Sequence, residues 1–189
     1  MKLFVETSPI FFVEENAILD AFFNEGLDFL ILNKPNSNPL FCERLLTLLN
    51  KRWRNRIIVN EHFYLKDEFD LKGIHLDELH KELPRGYSGF YTRSCNTIEE
   101  IDYWKRRCQY VITPKLDEEL THRYVAAKVL CDKVIANEIK NIDDVKKYHD
   151  MGFGGVVASN AIWNQFDAYQ SVSYKQLIDF FKKLHKACE

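Results

Sequence analysis

At 189 residues the chain has the size of one domain, and 46% hydrophobic with 29% charged residues is the balance of a globular protein with a real core. A net charge of −2, with aromatics spread along the chain instead of interleaved with Lys and Arg, excludes bulk attraction to nucleic acid or an anionic membrane. No apolar run reaches the ~18 residues of a membrane span, and MKLFVETSP carries no apolar signal-peptide core. Cys42, Cys95, Cys108, Cys131 and Cys188 are widely spaced with no CxxC, so they read as structural thiols of a reducing compartment. A cytoplasmic protein without nucleic-acid or membrane partners is the expectation.

Short apolar runs alternate with amphipathic stretches. Leu3–Val5 is the first predicted strand. Phe12, Ile18, Leu19, Phe22 and Phe23 then form one helical stripe that Gly26 ends. Residues 27–32 (LDFLIL) read as a strand buried on both faces, and a helix follows over about 39–51 with Leu45, Leu46, Leu48 and Leu49 inward. Arg56–Val59 is strand three, 61–69 a short helical connection and Gly73–Leu76 strand four. Ser88–Thr92 is strand five, followed by a capping box of Thr97 and Glu100 that opens a helix to about Arg106. Tyr110–Thr113, a helix over about 117–129 and Lys133–Ala136 come next. Asn141 caps a helix with Asp143 and Asp144 in its first turn, ending near Gly152. Gly155–Val156–Val157–Ala158 is strand eight, and Ser173 caps a last helix through His185.

This rhythm predicts a single-domain α/β protein, a compact (β/α)8 TIM barrel over residues 1–189. Such barrels typically use roughly 250 residues, so units must be trimmed, most visibly between strands four and five and around strand six. The site then belongs at the C-terminal ends of the strands, among residues such as Glu6, Asn33-Lys34, Asn60-Glu61-His62, His75 to His80, Arg93-Ser94-Cys95, Thr113 to Lys115, Asn137-Glu138 and Ser159-Asn160.

Those segments carry a resemblance. GLDFLILNKP is similar to the strand-two signature of thiamine phosphate synthases, where Gln, Leu and Arg are followed closely by Lys. IIVNEHF resembles their Asn-Asp-Arg segment and KGIHL their Gly-Val-His-Leu strand. KVIANEI with KKYHDMGFGGVVASNAI resembles their last two strands. The matches run in order over nearly the whole chain, in a frame that the TenI branch shares.

The resemblance implies a reaction that joins an aminopyrimidine methyl diphosphate to a thiazole phosphate and releases pyrophosphate, with Mg²⁺ as cofactor if the chain is active. It also implies the site. Lys34, Asn60 and Ser94 take catalytic positions. Glu61 stands where the family has its magnesium-binding Asp, and Asp77 lies close to the place of the second magnesium carboxylate. Lys115, Ser159 and Asn160 fall where a small-molecule phosphate ligand is held. Other family residues are replaced: Gln by Ile31, Arg by Asn33 and by His62, and the phosphate-binding Gly-Gly by Asn137-Glu138. Thr113, Lys115 and Thr121 are the remnants of a Thr-x-Thr-Lys loop. A glutamate there would cost a phosphate about 1–4 kcal/mol at 4 Å for dielectrics of 80 to 20.

Three functions therefore stand: a divergent synthase with degenerate catalytic residues, a non-catalytic or repurposed barrel binding a thiamine-related ligand or a protein, and a TenI-like regulator or thiazole isomerase. Glu61, His62, Asp77 and His80 make a candidate metal group, His75 reads as a structural or a catalytic imidazole, and Cys95 as a buried thiol. Small barrels commonly form homodimers.

Overall fold

The computed structural model describes residues 1–167 and 173–189. Its strands are β1 (Lys2–Glu6), β2 (Phe29–Leu32), β3 (Ile57–Val59), β4 (Gly73–Leu76), β5 (Phe90–Ser94), β6 (Tyr110–Lys115), β7 (Val134–Asn137) and β8 (Gly155–Ala158). They pair in chain order, all parallel, and β1 pairs with β8 to close the barrel. The helices are α1 (Glu15–Asn24), α2 (Pro39–Leu48), α3 (Leu65–Glu68), α4 (Ile98–Trp104), α5 (Glu118–Ala126), α6 (Asp143–Met151), α7 (Asn160–Trp163) and α8 (Lys175–Cys188), with a 3₁₀ helix at Lys51–Arg56. The fold is the (β/α)8 TIM barrel that the alternation predicts. Among the described residues no helix is long and apolar enough to cross a membrane.

Local chemistry explains where elements begin and end. Glu100 N–H donates to Thr97 Oγ1 at 3.1 Å, while the Glu100 carboxylate reaches back to Asn96 N–H at 2.7 Å, one residue before the cap. The predicted caps sit one residue early, since α6 starts after Ile142 and α8 after Tyr174, yet Asp144 N–H still donates to Asn141 Oδ1 and Lys175 N–H to Ser173 Oγ. Gly152 ends α6 at φ +99°, a left-handed conformation that costs glycine little.

Two details differ from the periodicity. The buried stripe of α2 is Cys42, Leu45 and Leu46, continued by Leu49 just beyond its end, and Leu48 turns off that stripe to solvent. The trimming is real between β4 and β5, where residues 77–89 contain no helix. Around β6 the barrel closes despite a register shift between Ile112 and Lys115. Pro114 has no N–H for the ladder there, and the Thr113 hydroxyl accepts from Asn137 N–H at 3.1 Å in compensation.

Strand parity divides the core into two layers. Outward residues such as Leu3, Val5, Leu30, Leu32 and Val111 pack under the helices, where Phe22 of α1 stacks on Phe181 of α8 with centroids 4.3 Å apart. Inward residues Phe4, Ile31, Ile58, Ile112, Ile135 and Val157 fill the barrel, with Phe29, Phe90 and Tyr110 against them at its N-terminal end. Gly73 is inward too, and a Cβ there would collide with the Phe90 carbonyl and ring. Gly73→Ala is therefore expected to cost about 1–3 kcal/mol in urea denaturation through forced overpacking; an unchanged midpoint would show that β4 and β5 part easily.

Candidate active site

The inward parity that buries Phe4, Ile31, Ile58, Ile135 and Val157 continues two residues on to Glu6, Asn33, Asn60, Asn137 and Ser159. The strands thus change from aliphatic to polar at their C-terminal ends. The result is a pocket of about 170 Å³ floored by Ile31, Ile112 and Val157. Its walls carry the carboxylates Glu6 and Asp77, the amides Asn33, Asn60 and Asn137, and the side chains of His75 and Ser94. A larger apolar groove, about 280 Å³ between Phe11, Phe41, Leu45 and Leu48, lies between the approach to α1 and one side of α2 and contains none of these groups.

The polar groups form one connected set. Asn60 Nδ2 donates to Asn33 Oδ1 at 3.2 Å and to Asp77 Oδ2 at 2.9 Å, which orients the amide and turns Oδ1 to the other side. That Oδ1 is buried without a partner, in a residue only 3% exposed. Asn33 Nδ2 donates to the Glu6 carboxylate. Asp77 also receives Leu79 N–H, His80 N–H and the His80 ring. Its partial burial pushes its carboxyl up, but the hydrogen bonds from Asn60 and His80 outweigh this and hold it below the usual carboxylate range. Glu6 goes the other way: burial raises it, and the neighbouring Glu138 and Asp77 add to the rise, while Asn33 and Lys115 oppose it. The mouth is therefore acidic, with Lys115 exposed at its rim.

His75 Nδ1 lies 2.7 Å from Thr92 Oγ1 and Nε2 lies 3.0 Å from Ser94 Oγ. Burial lowers this imidazole to about 4, so at neutral pH it is uncharged and fixes the Ser94 hydroxyl as a neutral partner. Beyond β7, Glu138 holds a left-handed φ of +58° and accepts from Asn160 Nδ2 at 3.1 Å through Oε2, while its buried Oε1 has no partner.

The structure brings Asn60, Asp77 and Ser94 together in the pocket and places Lys115, Ser159 and Asn160 at the strand ends around it. Lys34 lies elsewhere. It is 1% exposed, ion-paired to Glu15 of α1 at 2.5 Å and bonded to the Ile10 carbonyl at 2.8 Å, with Phe11 under its ammonium. Glu61 is not among the pocket residues, and its charge is felt at Cys42 in α2. His62 reaches the Ser37 carbonyl at 3.3 Å, so the four-residue metal group does not converge. Thr121 bonds within α5 to the Asp117 carbonyl. Cys95 is buried and pushed up to about 12 by desolvation. Sequence reasoning assigns no role to Glu6, Asn33 or Asn137. Their signal is parity, two residues past an inward apolar side chain.

Mg²⁺ is commonly held by one or two carboxylates together with substrate phosphates. Asp77, a carboxylate lining the pocket, fits that kind of shared site. Among the described residues, no three His, Cys, Asp or Glu side chains form a cage for a metal held by protein alone.

No protein-family model matches the chain, and no curated protein does. Solved structures match throughout. A thiamine phosphate pyrophosphorylase from Bacteroides thetaiotaomicron superposes with a TM-score of 0.93 at 41% identity, covering 99% of this chain and 97% of that one. A thiamine phosphate pyrophosphorylase from Pyrococcus furiosus gives 0.75 at 14% identity, over 99% and 95%. A tryptophan synthase alpha subunit from Legionella pneumophila gives 0.70 at 15% identity, over 99% and 92%. The last two share the fold alone.

Proposed function

The chain belongs to the thiamine phosphate pyrophosphorylase (thiamine phosphate synthase) family, and from that premise we propose that its mouth pocket couples an aminopyrimidine methyl diphosphate to a thiazole, releasing pyrophosphate. The observation that carries this is the connected set Glu6–Asn33–Asn60–Asp77 over an aliphatic floor, at the end of the barrel where such enzymes work. The floor suits the face of a flat ring, and the Asn60 oxygen offers an acceptor to an amino group on its edge. As the C–O bond to diphosphate breaks, positive charge develops on the pyrimidine methylene. The fixed carboxylates Glu6 and Asp77 oppose that charge without reorganising. The thiazole nitrogen then forms the new C–N bond, and no proton moves. Ser94, held by neutral His75, and Lys115 at the rim are the donors available to the leaving diphosphate. Mg²⁺, held by Asp77 together with the substrate's phosphate oxygens, would neutralise charge on that diphosphate.

Purified protein with the aminopyrimidine diphosphate, Mg²⁺ and a thiazole partner, phosphorylated or not, should release pyrophosphate only when both substrates are present. Asp77→Asn is expected to lower kcat/KM on the order of 100-fold, the scale of losing one preorganised electrostatic partner. Absence of pyrophosphate with either thiazole would sink the enzymatic reading. The repurposed, ligand-binding barrel is the second reading, favoured by Glu138 and its bond to Asn160 beside the pocket.

A further inference from the structure

We propose that Thr92 is a positioning residue of this site: its hydroxyl donates to His75, His75 in turn donates to Ser94, and the Ser94 O–H is left to donate to the leaving diphosphate. This rests on the coupling reading above and fixes the direction in which its hydrogens point.

The three side chains form a row that runs from the sealed interior to the mouth. His75 of β4 and Thr92 of β5 are register partners, and both turn inward. Ser94 follows two residues later on the same face of β5 and lines the pocket. The contacts, 2.7 Å from Nδ1 to Thr92 Oγ1 and 3.0 Å from Nε2 to Ser94 Oγ, allow two directions for a neutral ring. In the first, Thr92 donates to Nδ1 and Nε2–H donates to Ser94. In the second, Ser94 donates to Nε2 and Nδ1–H donates to Thr92. Both pair each ring nitrogen. They differ in which hydroxyl keeps an unused hydrogen.

Burial decides between them. Thr92 is 0% exposed and has no side-chain partner but His75 among the described residues. In the second direction its hydrogen would be a buried donor that meets neither acceptor nor water. In the first that hydrogen is used and only a lone pair stays unfilled, which protein interiors tolerate better. Ser94 has the opposite surroundings: it opens on the pocket, where water or a ligand can take its hydrogen. A charged ring, donating from both nitrogens, strands the Thr92 hydrogen in the same way and adds a charge at a residue only 5% exposed. The chain therefore runs outward, Thr92 to His75 to Ser94. A hydroxyl that accepts from an N–H becomes a stronger donor itself. The diphosphate gains charge as the C–O bond breaks, so an O–H already aimed at it is worth most in the transition state.

NMR of protein with isotopically labelled histidine ring nitrogens, at neutral pH, shows where the hydrogen sits; His75→Gln identifies the His75 signals by their loss. The hydrogen should be on Nε2 with Nδ1 bare. A hydrogen on Nδ1, alone or together with one on Nε2, overturns the proposal. Kinetics of pyrophosphate release then tests whether Thr92 acts through Ser94. Thr92→Val keeps the shape and removes the hydroxyl, so neither direction is imposed. Its kcat should fall on the order of tenfold with KM little changed, and Thr92→Ser should restore it. Ser94→Ala should lower kcat on the order of 100-fold, and adding Thr92→Val to it should cost less than about twofold more. An undiminished loss in the Ser94→Ala background, or no loss in Thr92→Val alone, overturns the proposal and leaves the coupling reading intact. The ring measurement needs only the wild-type protein, so it decides the matter even where Thr92→Val does not fold. If the wild type couples no substrate, the coupling reading fails separately, and the position of the ring hydrogen alone supports or overturns the outward chain.

Discussion

Replacing Lys34 with alanine is expected to destabilise the protein by about 3–5 kcal/mol, the cost of stranding one partner of a buried ion pair. Lys34 and Glu15 are each 1% exposed and 2.5 Å apart. Burial is the largest influence on both: it raises the Glu15 carboxyl to about 7 and lowers the Lys34 ammonium, and their mutual attraction only partly offsets this. Glu15 Oε2 already lacks a partner, so loss of Lys34 would leave the whole carboxylate unsatisfied. Against the 5–15 kcal/mol typical of whole domains, that is a large share. Urea denaturation of Lys34→Ala measures it, and the double change Lys34→Met with Glu15→Leu should recover most of the loss, because it removes both charges and keeps the volume. If Lys34→Ala instead keeps its stability and loses only catalysis, Lys34 serves the substrate and not the fold.

Acid should bring out His75. Its folded value is about 4 against an ordinary 6.5, because burial disfavours the imidazolium. A depressed folded value means that its contribution is complete above pH 6.5 and is lost as pH falls toward 4. The unfolded chain takes up the proton first. The shift corresponds to about 3 kcal/mol. Glu15 acts with the opposite sign in an overlapping window: its raised value makes its contribution complete below about 4.5 and lost as pH rises through about 7. The two partly cancel in the wild-type profile, so the measurable quantity is a difference. His75→Gln keeps groups that can meet Thr92 and Ser94 but does not titrate. Between pH 7.5 and 4, wild-type stability should fall by about 3 kcal/mol more than that of the variant. Parallel curves would mean that His75 is hydrated in the folded state.

Much of the fold is legible along the chain because its signals are local. Alternating apolar runs and amphipathic stretches mark strands and helices within windows of a few residues, and Thr97, Asn141, Gly152 and Ser173 act on backbone groups no more than a turn or so away. The same locality places Asn60, Asp77, Ser94 and Asn137 at strand ends, and therefore near one mouth of a barrel. The ordered segments also carry the family, which 41% identity over 99% of the chain now supports.

What the chain order does not contain is which charge meets which. Lys34 reads as a free cation after strand two, yet it turns away from the pocket to a glutamate nineteen positions earlier. His75 reads as an ambiguous imidazole until Thr92 and Ser94, on the neighbouring strand, occupy both ring nitrogens. Glu138 reads as a lost glycine until one of its oxygens is found held by Asn160 of the next β/α unit. In each case the chemistry is decided by desolvation and by a partner supplied from another β/α unit, and both exist only once the barrel has closed. The sequence by itself determined the barrel, its mouth and its lineage; only the tertiary structure decided which polar groups meet a partner inside the protein and which do not.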